Sequence, residues 1–259
     1  MHMTSTGFRI ASLVPSVTEL LVALGLGPRL VARTGFCVHP HDAIRDIPKV
    51  GGTKDVNLAK LRRLAPTHVI VNVDENRAET AEALREFVPH VLVTHPCAPE
   101  DNPALFEQMA QAFRAEPGVA DRAGLLAEQV RAELEALRQP DWPFRRVLYL
   151  IWRNPWMTVA RDTYISRMLA LVNWHTLPDR AGGPRGAARY PAFDAQAGWL
   201  ADVQEVLLSS EPYRFGAGHV AEAQALCPDA RVRLVDGELL SWYGARAVPG
   251  LRYLRALAG

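Results

Sequence analysis

Two short clusters of soft donors are the first residues in this chain with chemistry to offer. Cys37-Val38-His39 and His95-Pro96-Cys97 each set a thiol and an imidazole one residue apart, a donor pair able to hold zinc or an axial position on haem iron or cobalt. Beside Pro40 and Pro96 the same residues also read as ordinary turns. They lack the repeated Cys-x-x-Cys spacing of a structural zinc site, so no resident metal is assigned to them. Asp74-Glu75, and Asp236 with Glu238, supply carboxylates that suit proton transfer or hydrogen bonding. A third group is aromatic and basic: from Trp152 to Asp162 the chain carries Trp152, Arg153, Pro155, Trp156 and Arg161, more than a connecting loop needs for solubility. There is no Gly-x-Ser-x-Gly elbow, no His-Glu-x-x-His and no dinucleotide fingerprint. Gly51-Gly52-Thr53-Lys54 lacks the distal glycine and the Lys-Ser/Thr order of a phosphate loop. The balance favours a binding site over a catalytic one.

The elements that must position these groups repeat. Ile10 to Val14 and Val147 to Ile151 are apolar runs of the kind buried strands use, and their first residues stand 137 positions apart. Leu64-Ala65-Pro66 leading into His68 to Val71 finds an echo in Leu200-Ala201-Asp202 leading into Glu205 to Leu208, with a separation of 136. Two agreeing separations point to two similar α/β lobes facing each other across a cleft. Between them, residues 117 to 140 carry Val119, Ala123, Leu126, Val130, Leu134 and Leu137 at steps of three and four, which predicts one long amphipathic helix. The expected organisation is an N-terminal lobe over residues 1–116, a connecting helix over 117–140 and a C-terminal lobe over 141–259. Ser16 after Pro15, with Glu19 three residues on, has the spacing of a capping box at a strand-to-helix turn. Such a turn also presents helix N–H groups where α/β folds bind ligands. Another helix is expected to begin near Thr163.

Composition agrees with a folded, two-lobed chain. The 259 residues are 49% hydrophobic and 22% charged, and a net charge of +1 gives no reason to expect nucleic-acid binding. Three cysteines without paired spacing favour free thiols, and no apolar run approaches the length of a membrane span. Met1 to Gly7 has neither the basic start nor the apolar core of a secretory signal, so the expected location is cytoplasmic, or periplasmic should a natural leader have been trimmed. His68 shows no evident partner, and the chain is expected to be a monomer.

Ile10 to Leu20, Val50-Gly51-Gly52-Thr53-Lys54 with Val56-Asn57-Leu58, and Leu64-Ala65-Pro66 together resemble the cobalamin-binding, helical-backbone class of ABC-transporter solute-binding proteins. The same class includes siderophore, haem and metal receptors. The likeness runs through Leu208 to Tyr213, Val235 to Glu238 and Ser241 to Gly244. It implies an α/β fold of two Rossmann-like lobes joined by a single rigid helix. A flat macrocycle would lie between the lobes, with its apolar faces on aromatic rings and its edges on polar groups. Carried over residue by residue, the resemblance places Phe36 and His39 on the aromatic loop of lobe one. Trp152 and Trp156 fall on the opening loop of lobe two, and Asp236, Glu238 and Trp242 on its last loop. Arg153, Tyr213 and Tyr243 are neighbours, with Ser16 near the cleft. Where the cobalamin receptors use further tryptophans in lobe one, this chain has Thr53, Asn72 or Val73, and Val93. That leaves a more polar face containing Asn72, Asp74, Glu75, Asn76, Arg77 and His95, suited to a ligand with hydrogen-bonding edges.

Receptors of this class dock on their permease through an acid on each lobe. The aligned positions here read Ala59 with Lys60, and Ala197 between Gln196 and Gly198, while Asp55 and Asp194 lie within a few residues. A missing acid on each lobe would weaken docking. The expectation is therefore a binding protein for a corrinoid or related metal chelate, with no intrinsic cofactor and no necessary transporter. The alternatives are a siderophore, haem or metal receptor of an importer, and an enzyme that remodels a chelate. Removing Trp152 or Trp242 is expected to weaken ligand binding without unfolding the protein.

Overall fold

Short runs of residues buried on both faces set the architecture. A computed structural model, which describes residues 7–259, has strands β1 Ile10–Ser12, β2 Leu30–Arg33, β3 His68–Asn72, β4 His90–Thr94, β5 Arg145–Leu150, β6 Trp174–Thr176, β7 Glu205–Ser209 and β8 Arg231–Val235. The helices are α1 Pro15–Ala23, α2 His41–Ile44, α3 Leu58–Arg63, α4 Ala78–Arg85, α5 Asn102–Ala112, α6 Val119–Arg138, α7 Tyr164–Ala170, α8 Val220–Leu226, α9 Gly237–Ser241 and α10 Ala247–Ala258. The strands form two parallel sheets, ordered β2-β1-β3-β4 and β6-β5-β7-β8. The central strands β1, β3 and β7 are buried at every position, as parallel strands covered on both faces must be.

The repeat read from the sequence is a repeat of topology and of register. In the first sheet Ile10 pairs with His68, and in the second Val147 pairs with Glu205, so both partners move by the same 137 residues. The edge strands β4 and β8 also share one burial pattern, half-open until a buried residue at the carboxyl end, Thr94 and Val235. The fold is α/β with two Rossmann-like lobes.

The chain forms two compact units. The first takes residues up to His95, Pro103–Ala127 and Tyr243–Ala245; the second takes Pro96–Asn102, Glu128–Trp242 and Arg246–Gly259. Unit one is built on Ala11, Leu13, Ala32, Val69, Val71 and Leu84, and unit two on Leu148, Leu150, Val206, Leu208, Phe215 and Ala223. The helix expected between the lobes is α6, 20 residues long, or about 30 Å at the helical rise. Val119, Ala123, Val130, Leu134 and Leu137 form its buried stripe, joined by Ala127, while Leu126 is only half-buried.

Helix starts follow local chemistry. Thr163 caps α7 by accepting from Ser166 N–H, and Asn57 caps α3 by accepting from Lys60 N–H. The capping box at Ser16 is corrected: α1 begins at Pro15, Val14 is its cap residue, and no side chain caps it. Proline at the first helical position has no N–H to satisfy and is preset to helical φ, so the helix starts two residues early and carries Ser16 inside it. His68 does have partners. Thr67 Oγ1 lies 2.9 Å from its Nδ1, and its ring packs among Phe8, Phe113 and a stacked His90. The three cysteines are free thiols, and no helix among the described residues is long and apolar enough to cross a membrane.

Candidate functional site

The carboxyl ends of the strands gather most of the polar and aromatic residues singled out above. In unit one, Ser16, Asn72, Glu75 and Tyr243 come together there. The Tyr243 phenol donates to Glu75 Oε1 at 3.4 Å, with Ser16 and Thr94 also beside it. Tyr243 reaches this place because Gly244, at φ +81°, lets the chain run close along α1. A Cβ at Gly244 would stand 3.2 Å from that of Leu20. Burial raises the Tyr243 phenol well above its ordinary value, so it is a neutral donor. Asn72 is consumed locally: its Oδ1 accepts from the N–H groups of Asp74 and Glu75, and its Nδ2 donates to Thr94 O. His95 Nε2 lies 3.5 Å from Asp74 Oδ2.

Phe36 is 63% exposed on the loop after β2, and its ring edge would lie 3.3 Å from a Cβ on Gly52, which explains the glycine opposite it. His39 is half-buried in the same loop. Cys37 is fully buried, its sulfur 3.1 Å from Thr34 Oγ1, and burial raises the thiol pKa. A thiol held protonated is a poor metal ligand, which weighs against the soft-donor reading of Cys37 with His39. Cys97 sits against the Arg189 guanidinium at 3.5 Å, within unit two. No group of three or more metal-ligating side chains is found among the described residues.

Unit two carries the rings. Trp152 is 41% exposed and meets Tyr213 edge-on at 5.6 Å, while Trp156 lies parallel to Phe215 at 6.2 Å and packs on the core. Arg153 is neutralised by Glu222 at 2.6 Å. The Tyr213 hydroxyl lies 3.1 Å from His219 Nε2.

The last loop is built differently from the expectation. Asp236 caps α9 by accepting from Leu239 N–H, and Glu238 pairs with Arg246. Trp242 is only 9% exposed: its Nε1 donates to Glu211 Oε1 at 2.7 Å, and Arg246 covers its ring at 4.8 Å. Ser241 donates to the same Glu211 oxygen at 2.6 Å. Burial raises the Glu211 carboxyl pKa, opposed by those two hydrogen bonds. Trp242 is thus held as part of the fold as well as standing on the last loop.

Glu211, Phe215 and His219 were not foreseen. A lone Glu before a proline reads as a surface residue, and its partners Ser241 and Trp242 lie 30 and 31 residues downstream. Unit one thus offers a neutral hydrogen-bond donor at its strand ends, and unit two a half-exposed ring, groups of the kind that hold a flat, polar-edged molecule.

Residues 10–177 match the family described as periplasmic binding protein. A curated relative, the vitamin B12-binding protein of Vibrio vulnificus, is 28% identical over 178 residues, 68% of this chain and 63% of its own length. That aligned segment leaves more than a third of the relative unmatched. Among solved structures, the periplasmic vitamin B12 binding protein BtuF of Vibrio cholerae superposes with a TM-score of 0.77 at 22% identity, covering 96% of each chain. A periplasmic haem binding protein from Pseudomonas aeruginosa reaches 0.79 at 21% identity, over 96% of this chain and 92% of that one. The family and these proteins are periplasmic, which overturns the cytoplasmic expectation drawn from the first residues; residues 1–6 themselves lie outside those described. With more than half its length matching, this chain belongs to the periplasmic binding protein family.

Proposed function

We propose that this protein is the binding component of an ABC importer for a metal-containing macrocycle, with a corrinoid as the leading ligand, and that it binds rather than transforms it. The observation that carries the reading is the half-exposed Trp152 set edge-on against Tyr213 at the carboxyl ends of β5 and β7. Rings cover the apolar face of a macrocycle, and neutral donors meet the carbonyl groups at its edge. The naming of the curated Vibrio vulnificus relative for vitamin B12 supports a corrinoid over other chelates. Haem is the second reading, favoured by the haem-binding neighbour from Pseudomonas aeruginosa.

Docking on a permease belongs to this proposal. Asp55 is an exposed carboxylate just before α3, paired with Arg77 at 3.1 Å, and Asp194 is exposed before the 3₁₀ helix Gly198–Asp202. They put an acid near each position where Ala59 and Ala197 lack one.

Tryptophan-fluorescence and visible-absorbance titrations with cyanocobalamin, aquocobalamin, cobinamide and haemin test the ligand. Saturable one-to-one binding of a corrinoid is expected, weakened by about 1–3 kcal/mol in Trp152→Ala. Saturation by haemin alone would replace the corrinoid with the second reading, and no saturable binding to any of the four would refute both.

A further inference from the structure

Beside Trp152, the hydrogen bonds around His219 determine which way the Tyr213 proton points. The Gly216 N–H donates to His219 Nδ1 at 3.0 Å. A ring nitrogen that accepts a hydrogen bond carries no proton, so the proton of the neutral imidazole sits on Nε2. Nε2 lies 3.1 Å from the Tyr213 oxygen and therefore donates to it. The phenol oxygen, acting as acceptor toward His219, is left with its own O–H, and among the described residues that O–H meets no further hydrogen-bond partner. The Tyr213 ring cannot easily turn away, since it is held between Trp152 at 5.6 Å, Phe215 at 4.7 Å and His219 at 5.5 Å. Its backbone N–H is tied to Ile151 O at 3.3 Å, at the end of β5.

We infer that Tyr213, held in place by His219, is a specificity-determining hydrogen-bond donor that recognises a carbonyl oxygen on the periphery of the ligand lying against Trp152. His219 acts through Tyr213 and is a positioning residue. The nearby Arg153 is already paired with Glu222, so the phenol rather than the guanidinium is the donor left for the ligand here. An amide carbonyl and a carboxylate share the acceptor chemistry, and the probes below separate them. The inference rests on the binding function proposed above.

Two measurements test it. Side-chain nitrogen NMR of the intact protein should show His219 neutral with its proton on Nε2; a proton on Nδ1 would overturn the geometry regardless of any ligand. Binding of cyanocobalamin, whose periphery carries amides, and of haemin, whose periphery carries carboxylates, should then be compared across variants. Tyr213→Phe and His219→Phe are each expected to weaken the accepted probe about tenfold, the size of one lost hydrogen bond to a buried acceptor, while His219→Gln, which keeps an N–H toward the phenol, stays closer to wild type. Affinity unchanged in Tyr213→Phe but lost in Trp152→Ala would overturn this inference and leave the binding function standing. Failure of the wild-type protein to bind either probe would overturn both.

Discussion

Replacing Trp242 by phenylalanine isolates one buried bond, the indole N–H to Glu211 Oε1 at 2.7 Å. A hydrogen bond to a charged group contributes about 1.5–3 kcal/mol, and the smaller ring sacrifices about 1 kcal/mol more of packing beneath Arg246. The loss near pH 8 should therefore be about 3 kcal/mol. The pH dependence is the sharper test. The Glu211 pKa lies above the ordinary 4.5, with burial the main cause; Glu238 pushes the same way, while Ser241, Trp242 and Arg246 oppose. A carboxyl raised in the folded state holds its proton where the unfolded chain has already released it, so its stabilising effect is full at low pH and is lost as pH rises from about 4.5 through the folded value. Without the indole donor that value rises further, so the cost of Trp242→Phe should be largest at pH 8 and shrink as pH falls toward 4.5. Urea unfolding followed by far-UV circular dichroism at the two pH values measures this directly. Adding Glu211→Gln alone and in combination completes a cycle, with an expected coupling of about 1–2 kcal/mol. A cost that does not change with pH, or strict additivity of the two substitutions, would refute the claim that Glu211 and Trp242 form one buried unit.

Three other perturbations read different parts of the fold. Arg189 is 2% exposed, donates to Gly183 O at 2.9 Å and lies 4.0 Å from Asp162, so Arg189→Ala should cost about 3 kcal/mol in urea unfolding; a loss below about 1 kcal/mol would mean that the surrounding loop does not depend on it. Thr163→Ala removes the cap of α7 and should cost about 1 kcal/mol, recovered in large part by Thr163→Ser, whereas equal losses in both variants would exclude the hydroxyl as the cause. Burial, with help from His90, pushes the His68 imidazole down to about 4, so its stabilising neutral form is fully present above 6.5 and its contribution, at most about 3 kcal/mol, is lost as pH falls toward 4. Unfolding midpoints of wild type and His68→Phe between pH 7 and pH 4.5 should diverge in slope, and parallel slopes would show that His68 does not titrate as described.

How much of this was legible in the sequence depends on whether a feature is read along the chain or across it. Strands β1, β3, β5 and β7 announce themselves because a parallel strand buried on both faces must be nearly all apolar, and α6 because one face of it must be. The start of α7 near Thr163 was visible as a helix start, and its cap acts only on its own next turn. The site was legible only as a neighbourhood. Asn72 and Asp236 stand at strand ends where a ligand contact is also expected, yet the structure spends Asn72 Oδ1 on the turn at Asp74 and Asp236 Oδ1 on Leu239. A single oxygen at a strand end suits a cap and a ligand equally well, and nothing along the chain distinguishes them. Glu211 was missed because what sets it apart is burial against Ser241 and Trp242, a relation across the fold.

The 137-residue repeat sharpens the division between what the fold requires and what each unit has made its own. Where the register forces equivalence the residues need not match: His68 and Glu205 occupy the same place beside the first strand of their sheets. His68 closes its end of the sheet with stacked rings, while Glu205 does so with Arg233 at 3.1 Å, and Arg233 in turn lies over Trp174 at 5.0 Å. Two different chemistries satisfy one packing requirement, so identity at such positions carries little information about function. The opposite ends of the same strands diverge for another reason. Unit one presents Glu75 with a buried phenol, unit two an exposed indole with a phenol oriented by His219, and neither arrangement is demanded by the sheet above it. Differences that the topology does not explain are the ones a ligand would have to explain, which is why Trp152 and Tyr213, rather than the better-buried Trp242, are where affinity should be sought first.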